Sequence, residues 1–400
     1  MHILLLNQFF HPDSAATSQL LTDLAVDLAA RGHRVRVIAG SSAYARAGES
    51  RPLGVEVHRV GTPGFSNSIL GRLSSYSIYF AGVIRHCLTG PRPDCIVTMT
   101  TPPGLSLVGA LMKRLRGVAH ICWEMDMYPD VAVGLGVLSK GSPVTRLASF
   151  LFDSAVRGAD AAVVLGTCMQ QRLAAKGLPL GRIHVVENWA DGSLVAPRPA
   201  PPPFPLTIMY SGNLGRAHDI DTVKRVLART STRWIFAGGG PLRDSFEQYC
   251  RSRQFTHVEF RSYCPLDRLG DSLAQAHIGL VTQRPETLGT LVPSKTYGIM
   301  AAGRPVLFIG PRQSTTAQIV ASHQCGWHIE PGDSGALSSL LERLSHNPEE
   351  IRYTGASARR AFLDFYDKPV ALNRLNRVLA GIVRGTAEPL PAGAYSQLPE

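Results

Sequence analysis

"HILLLN" at residues 2–7, "SQLLTDLAVDLAARGH" at 18–33 and "VRVIAG" at 35–40 decide the fold of this chain. The outer two are short apolar runs of strand length, while the middle one spaces its apolar residues at helical intervals and closes on Gly32. A strand, a helix and a second strand in tight succession make a βαβ unit, which requires a parallel sheet.

The same rhythm runs on through "DCIVTMT" (94–100), a helix over 104–115, "HICWEMD" (120–126), a helix over 143–157, "AAVVLG" (161–166) and "IHVVEN" (183–188). It predicts one doubly wound domain over 1–192. The proline-dense "LVAPRPAPPPFPL" (194–206) excludes helix and central strand, so 193–205 reads as a linker. Alternation then restarts with "LTIMYSG", a helix near 219–229, "RWIFAG", a helix over 243–252, "VEFRSY", a helix over 266–275 and "IGLVTQ". A second doubly wound domain is expected over 206–368, then a helix over 369–385 returning to the first domain and a disordered tail over 386–400. The fold class is α/β, with two Rossmann-like domains.

Composition narrows the classes of function. The chain has 400 residues, 44% hydrophobic and 18% charged, with a formal net charge of +11. Its basic residues are mostly scattered arginines with no compact stripe of interleaved aromatics, so nucleic acid is not an expected partner. Seven cysteines are odd in number and none has zinc-ligand spacing, which predicts buried thiols in a reducing cytoplasm. "MHILLLNQFF" has neither the charged start nor the cleavage site of an export signal, and no apolar run has membrane-spanning length. Cytoplasmic localisation is expected.

In parallel sheets of this kind ligands bind beyond the carboxyl ends of strands. One such place is "LVPSKTYGIMAAGRPVLFIG" (291–310), where Ser294 reads as an N-cap, Tyr297–Ala302 as the helix, Gly303 as its stop and Pro305–Ile309 as a strand. A helix start with Lys295 beside it is suited to a phosphate. "FFHPDSAATS" (9–18) is a second strand-end loop entering a helix.

The chain resembles the family 4 glycosyltransferases, in the branch of WbuB-like and colanic-acid-type bacterial polysaccharide enzymes. The matching motifs are "NQFFHPD", "RGHRVRVIAG", "TPPG", "MYPDVAVGLG", "ENWAD", "YSGNLGRAHDI", "FAGGGP" and "VPSKTYGIMAAGRPV", in the family's order over about 1–385. The resemblance implies a GT-B architecture of two Rossmann-like domains facing a cleft, and a retaining transfer from a UDP- or GDP-sugar to a polyprenyl-linked or saccharide acceptor. It also implies that no cofactor or catalytic metal is needed.

By the same resemblance, Lys295 and Arg216 hold the donor's diphosphate, and Ser294, Gly212, Asn213, Gly215, Gly238, Gly239 and Gly240 complete its cradle. His218 stands where relatives tend to carry glutamine. Asp126 is the residue expected to contact the acceptor hydroxyl as its base or its orienting group, with His11, Ser14 and Thr17 beside the acceptor. The apolar stripe of "FSNSILGRLSSYSIYFAGVIRHCL" (65–88), with Arg72 and Arg85, offers either a face for the cytoplasmic membrane leaflet or a helix packed on the sheet. The two glutamates found in many family members are replaced by Thr290 and Gly298, and Glu286 is the acid nearest to them in sequence. Two alternatives stay open at this point: a sugar-nucleotide epimerase of the same fold, and a non-catalytic nucleotide-sugar-binding subunit.

Overall fold

A computed structural model describes residues 1–13, 15–41, 54–61, 69–202 and 204–386, with the side chains of 69–74 outside that description. Among the described residues the chain divides into two compact units, one of 1–186 with 372–386 and the other of 187–371.

The first unit holds a sheet of seven strands: β1 (His2–Leu6), β2 (Arg34–Gly40), β3 (Val55–Val60), β4 (Cys95–Thr98), β5 (Ala119–Glu124), β6 (Ala161–Val164) and β7 (Ile183–Val185). Every pairing is parallel, in the order β3-β2-β1-β4-β5-β6-β7. The order reverses beside β1, whose two neighbours β2 and β4 lead the chain in opposite directions. That reversal opens a crevice at the carboxyl ends of β1 and β4.

The second unit repeats the plan with six parallel strands: β8 (Thr207–Ser211), β9 (Arg233–Ala237), β10 (Val258–Arg261), β11 (Ile278–Thr282), β12 (Val306–Ile309) and β13 (Gly326–Ile329). Their order is β10-β9-β8-β11-β12-β13, so the reversal falls between β8 and β11. Successive strand residues feed two different cores. Met209, Ile235, Val281 and Phe308 join one cluster, whereas Tyr210, Phe236, Leu280 and Leu307 join the other. Strands buried on both faces read as continuous apolar runs, which is why these were visible in the sequence.

Several local expectations change. The proline-dense stretch packs on the second unit, where Arg304 donates to the carbonyls of Arg198 and Pro199 at 3.0 Å each. The helix after Ser294 is Lys295–Ala301, and Ser294 is itself helical and makes no capping hydrogen bond through its side chain. The helix expected over 219–229 is Asp221–Val226 followed by a 3-10 turn, and that over 266–275 begins as a 3-10 turn before Leu269–Leu273. In the helix Ile69–Thr89 the second half of the stripe turns inward: Val83 and Cys87 lie in the core of the first unit with Phe80 packed against it, while the side chains of Ile69, Arg72 and Leu73 lie outside the described residues. That half of the stripe is a packing face. The described cysteines are all free, and only Cys264 is partly exposed.

The carboxyl-terminal helix Lys368–Arg384 is bound into the first unit over its second half. Arg374 donates to the carbonyl of Val185 at 2.8 Å, and Asn373 accepts from Arg31 at 2.6 Å. Residues 387–400, where a tail was expected, lie outside the described residues.

Candidate active site

The loop after β8 and the loop after β9 are built against each other by glycine. A Cβ on Gly238 would lie 2.1 Å from the carbonyl oxygen of Gly212, and one on Gly240 would lie 2.4 Å from Asn213 Oδ1. Both glycines also have positive φ, +130° and +119°, where other residues are strained. Leu214 N–H donates to the carbonyl of Gly239 at 2.7 Å, and Tyr210 O–H donates to that of Asn213 at 2.6 Å. The two strand ends thus form one rigid floor. Gly239 and Gly215 do different work: the first meets the Tyr263 ring, while the second has only ordinary contacts.

Lys295 lies across this floor. A Cβ on Gly212 would sit 2.7 Å from Lys295 Cε, so glycine there leaves room for the lysine stem. The ammonium stands 4.9 Å from the centre of the Tyr210 ring, within cation–π range. It also lies 3.3 Å from His218 Nε2. The other ring nitrogen of His218 is 2.9 Å from the carbonyl oxygen of Thr282, at the end of β11. A carbonyl can only accept, so Nδ1 carries the proton and Nε2 is the acceptor for the Lys295 N–H. Burial, then the neighbouring ammonium, push the imidazole down to about 3, so it is neutral.

Among the described residues no carboxylate pairs with Lys295, and burial lowers its ammonium to about 8. A desolvated cation without a counter-ion is costly, and a bound anion removes that cost. Since Lys295–Ala301 is under two turns long, the lysine charge rather than a helix dipole supplies the attraction. The site falls at the reversal of strand order between β8 and β11, where Arg284 N–H also ties the β11 loop to the carbonyl of Ala217 at 2.8 Å.

The remaining residues singled out around this site differ in their surroundings. Arg216 is exposed, and among the described residues no hydrogen bond or ion pair holds its guanidinium; Ser294 and Asn213 are exposed as well. Thr290 is fully buried and donates to the carbonyl of Thr287 at 2.8 Å, which makes it a loop brace. Glu286 is exposed and pairs with Arg284 at 3.3 Å. Gly298 faces open space, with only Leu269 at 4.0 Å from where its Cβ would be. Tyr210 and Arg243 were not foreseen as site residues. Arg243 opens the helix Arg243–Ser252 and lines a small cavity with Tyr210, Gly212, Gly238 and Gly239. Its place directly after "AGGGPL" was the available signal.

In the first unit, Asp126 follows β5. Its backbone N–H donates to Thr100 Oγ1 at 3.3 Å, which fixes it beside the loop after β4. Burial raises its carboxyl to about 6. Glu124, two residues earlier, is more deeply buried and lines a small cavity with Thr100, Tyr128 and Lys176. Desolvation raises it to about 7 against the pull of Lys176. Asp130, the third carboxylate of this stretch, is bound by Arg172 and Lys176 at 2.9 Å each, a structural ion pair that holds it low. His11 offers its backbone carbonyl to Arg59 and its N–H to Thr22 Oγ1 at 3.2 Å. Thr17 lies in the first turn of the helix Ala16–Ala30, and Ser14 lies outside the described residues. Among the described residues no group of three His, Cys, Asp or Glu side chains is arranged to hold a metal ion.

Two parallel-sheet units of this plan have the architecture of the GT-B glycosyltransferases. The comparisons with known proteins agree: residues 17–189 match the Glycosyl transferase 4-like domain and residues 185–361 match Glycosyl transferases group 1. The chain belongs to this glycosyltransferase family and is an enzyme of that kind.

Among its relatives, the Pseudomonas aeruginosa "Probable glycosyltransferase WbjE" is 27% identical over 295 residues, 71% of this chain and 73% of the relative. WcaI of Escherichia coli, provisionally named a colanic acid biosynthesis glycosyl transferase, is 27% identical over 53% of this chain and 56% of its own. Among solved structures, sucrose-phosphate synthase from Thermosynechococcus elongatus superposes with a TM-score of 0.78 at 14% identity, covering 96% of this chain and all of that one. Anabaena HepE in complex with UDP-glucose gives 0.70 at 17% identity, covering 95% and 100%. At these identities the structural likeness speaks for the fold.

Proposed function

We propose that this glycosyltransferase acts in bacterial surface-polysaccharide biosynthesis, moving a sugar from a UDP- or GDP-sugar to a lipid-linked or saccharide acceptor at the cytoplasmic side of the membrane, with retention of configuration. The observation that carries the reading is Lys295, a desolvated ammonium with no acidic partner among the described residues, laid over the glycine floor of the second unit. Uncoordinated by carboxylate, it suits a diphosphate. HepE, a protein of the same fold, has been captured with UDP-glucose, and WbjE of Pseudomonas aeruginosa and WcaI of Escherichia coli are both named for glycosyl transfer.

In this reading the acceptor hydroxyl oxygen bonds to the anomeric carbon of the donor sugar. The bond from that carbon to the β-phosphate oxygen breaks, and the nucleoside diphosphate leaves with the electron pair. Lys295 stabilises the negative charge that grows on the leaving oxygen, which is greatest in the transition state. His218 orients the ammonium by accepting a hydrogen bond from it at Nε2. The hydroxyl proton passes to the departing phosphate, while Asp126, ionised above about 6, orients the hydroxyl. These charges are all supplied by protein side chains, so the reaction is proposed to run without a metal.

Incubation with a panel of UDP- and GDP-sugars and a saccharide acceptor tests this. Release of free nucleoside diphosphate from one donor, with an α product from an α donor by NMR and full activity in chelator, is the expected result. No turnover with any donor, or inversion, refutes the reading.

A further inference from the structure

The helix Pro143–Arg157 is apolar on the wrong side. Ser142 caps it, accepting from Thr145 N–H at 3.1 Å, and Pro143 occupies its first turn, so its phase is well fixed. Thr145, Ala155 and Val156 face inward and are buried. The opposite side of a surface helix is ordinarily polar. Here it carries Val144, Leu147, Phe150 and Leu151, the first three exposed to 68%, 60% and 66%. Residues 144, 147, 150 and 151 share one face at helical spacing. Val137, in the loop leading to the helix, is 61% exposed as well.

The charges around this face have one sign. Arg146 and Arg157 are exposed on the helix, and Lys140 is exposed in the loop that leads to it. The one acid of the helix, Asp153, lies on the side of Arg146 and Arg157 and is neutralised by Lys176 at 2.8 Å, whose carbonyl also accepts from Arg157 at 3.2 Å, and the loop 135–142 contains no acid. An apolar ridge edged by cations matches the boundary between acyl chains and anionic headgroups. A second copy of the chain fits less well, because a twofold contact through this ridge would set the arginines of one copy against those of the other. No described helix is long and apolar enough to cross a membrane, so contact would be from one side.

We propose that the exposed face of Pro143–Arg157 docks on an anionic lipid bilayer, with Leu147 and Phe150 inserted and Arg146, Arg157 and Lys140 against lipid phosphates. This gives the lipid-linked acceptor of the proposed function a place to be met, but lipid binding needs neither donor nor acceptor. The two readings therefore fail separately.

The test is flotation of the full chain with vesicles of phosphatidylglycerol and phosphatidylethanolamine, against vesicles of phosphatidylcholine alone. Expected are co-flotation with the anionic vesicles that weakens as salt rises, and a loss of about tenfold or more in the Leu147→Gln, Phe150→Gln double variant. A Val26→Gln control on the exposed face of Ala16–Ala30 should float like the parent. Because all three side chains are exposed, circular dichroism and melting should be unchanged, and nucleotide release with a water-soluble acceptor should persist. A parent chain that stays in solution, or a double variant that floats equally well, overturns the proposal. So does sedimentation showing a dimer that the double variant converts to monomer, since the ridge would then be covered by a second copy.

Discussion

Lys295 and His218 lie 77 residues apart in sequence and meet at 3.3 Å, the ammonium donating to a histidine whose other nitrogen is committed to the carbonyl of Thr282. The histidine is neutral and the lysine has no acidic neighbour among the described residues, so the pair presents a net positive charge to whatever occupies the floor. Glutamine at 218 preserves an acceptor for the ammonium; leucine does not. His218→Gln should therefore retain most turnover, whereas His218→Leu should lower it about tenfold or more through misplacement of Lys295. Equal loss in both variants would mean that the ring itself, rather than its acceptor nitrogen, is required.

Lys295→Ala should reduce turnover by about 3 kcal/mol of transition-state stabilisation, roughly a hundredfold, with nucleotide release as the readout. Melting should hold or rise, because a desolvated cation is removed. Arg216→Ala, at an exposed guanidinium, should cost about 1 kcal/mol or less unless the bound diphosphate draws it in. A parent-like rate in Lys295→Ala ends its assignment.

Binding of UDP or GDP should be flat below pH 8 and weaken above it, by up to about tenfold per pH unit. The sign follows from burial: Lys295 is held down to about 8, so above that value the empty site is neutral and an incoming diphosphate must bring a proton. Calorimetry in buffers of different ionisation enthalpy would detect this proton uptake. Stability of the unliganded chain should move the other way, rising from about pH 8 towards the ordinary lysine value as the unfolded state alone retains the proton. Affinity independent of pH between 7 and 9.5 would contradict the role of the ammonium.

Asp126→Asn should slow transfer while leaving nucleotide affinity unchanged, and should abolish the decline in rate of the parent enzyme as pH falls through about 6. Glu124→Gln separates stability from catalysis. Its folded-state carboxyl is raised to about 7, so ionising it above that value costs stability that is absent below the ordinary value of 4.5. The glutamine variant should match the parent near pH 4 and be more stable by about 2 kcal/mol near pH 8, by denaturant titration at both.

Gly298→Ala should fold and melt slightly higher, since φ is ordinary, the nearest atom is 4.0 Å away and alanine is favoured in a helix by about 1 kcal/mol. It should also lose part of the nucleotide-induced rise in melting temperature, because open space one turn beyond Lys295 is taken as room for the ligand. A full ligand-induced rise would place Gly298 outside the pocket. Gly238→Ala is the contrast: its Cβ would strike the Gly212 carbonyl at 2.1 Å, so melting should fall by several degrees with or without ligand.

The alternation of apolar runs and helical patterns was enough to predict two doubly wound sheets, because strands buried on both faces must be apolar throughout. β3 and β13 escaped that reading. Both are edge strands, and "VEVHRV" and "GWHI" interleave polar residues where one side is less covered. The glycine clusters, Asp126 and Lys295 were legible as strand-end residues.

What the sequence by itself determined was thus the succession of elements, the loops that end at the crevices and the chemical types they carry. Tertiary structure alone decided the partners. Periodicity says that a helix has an apolar face, but not which surface covers it: Val83 and Cys87 of Ile69–Thr89 went into the core, while Pro143–Arg157 kept apolar residues outside. Likewise, nothing local distinguishes His218 from Arg216, two residues away. The reversal of strand order sets β8 beside β11, the carbonyl of Thr282 then captures the histidine ring, and the neighbouring arginine is left in solvent.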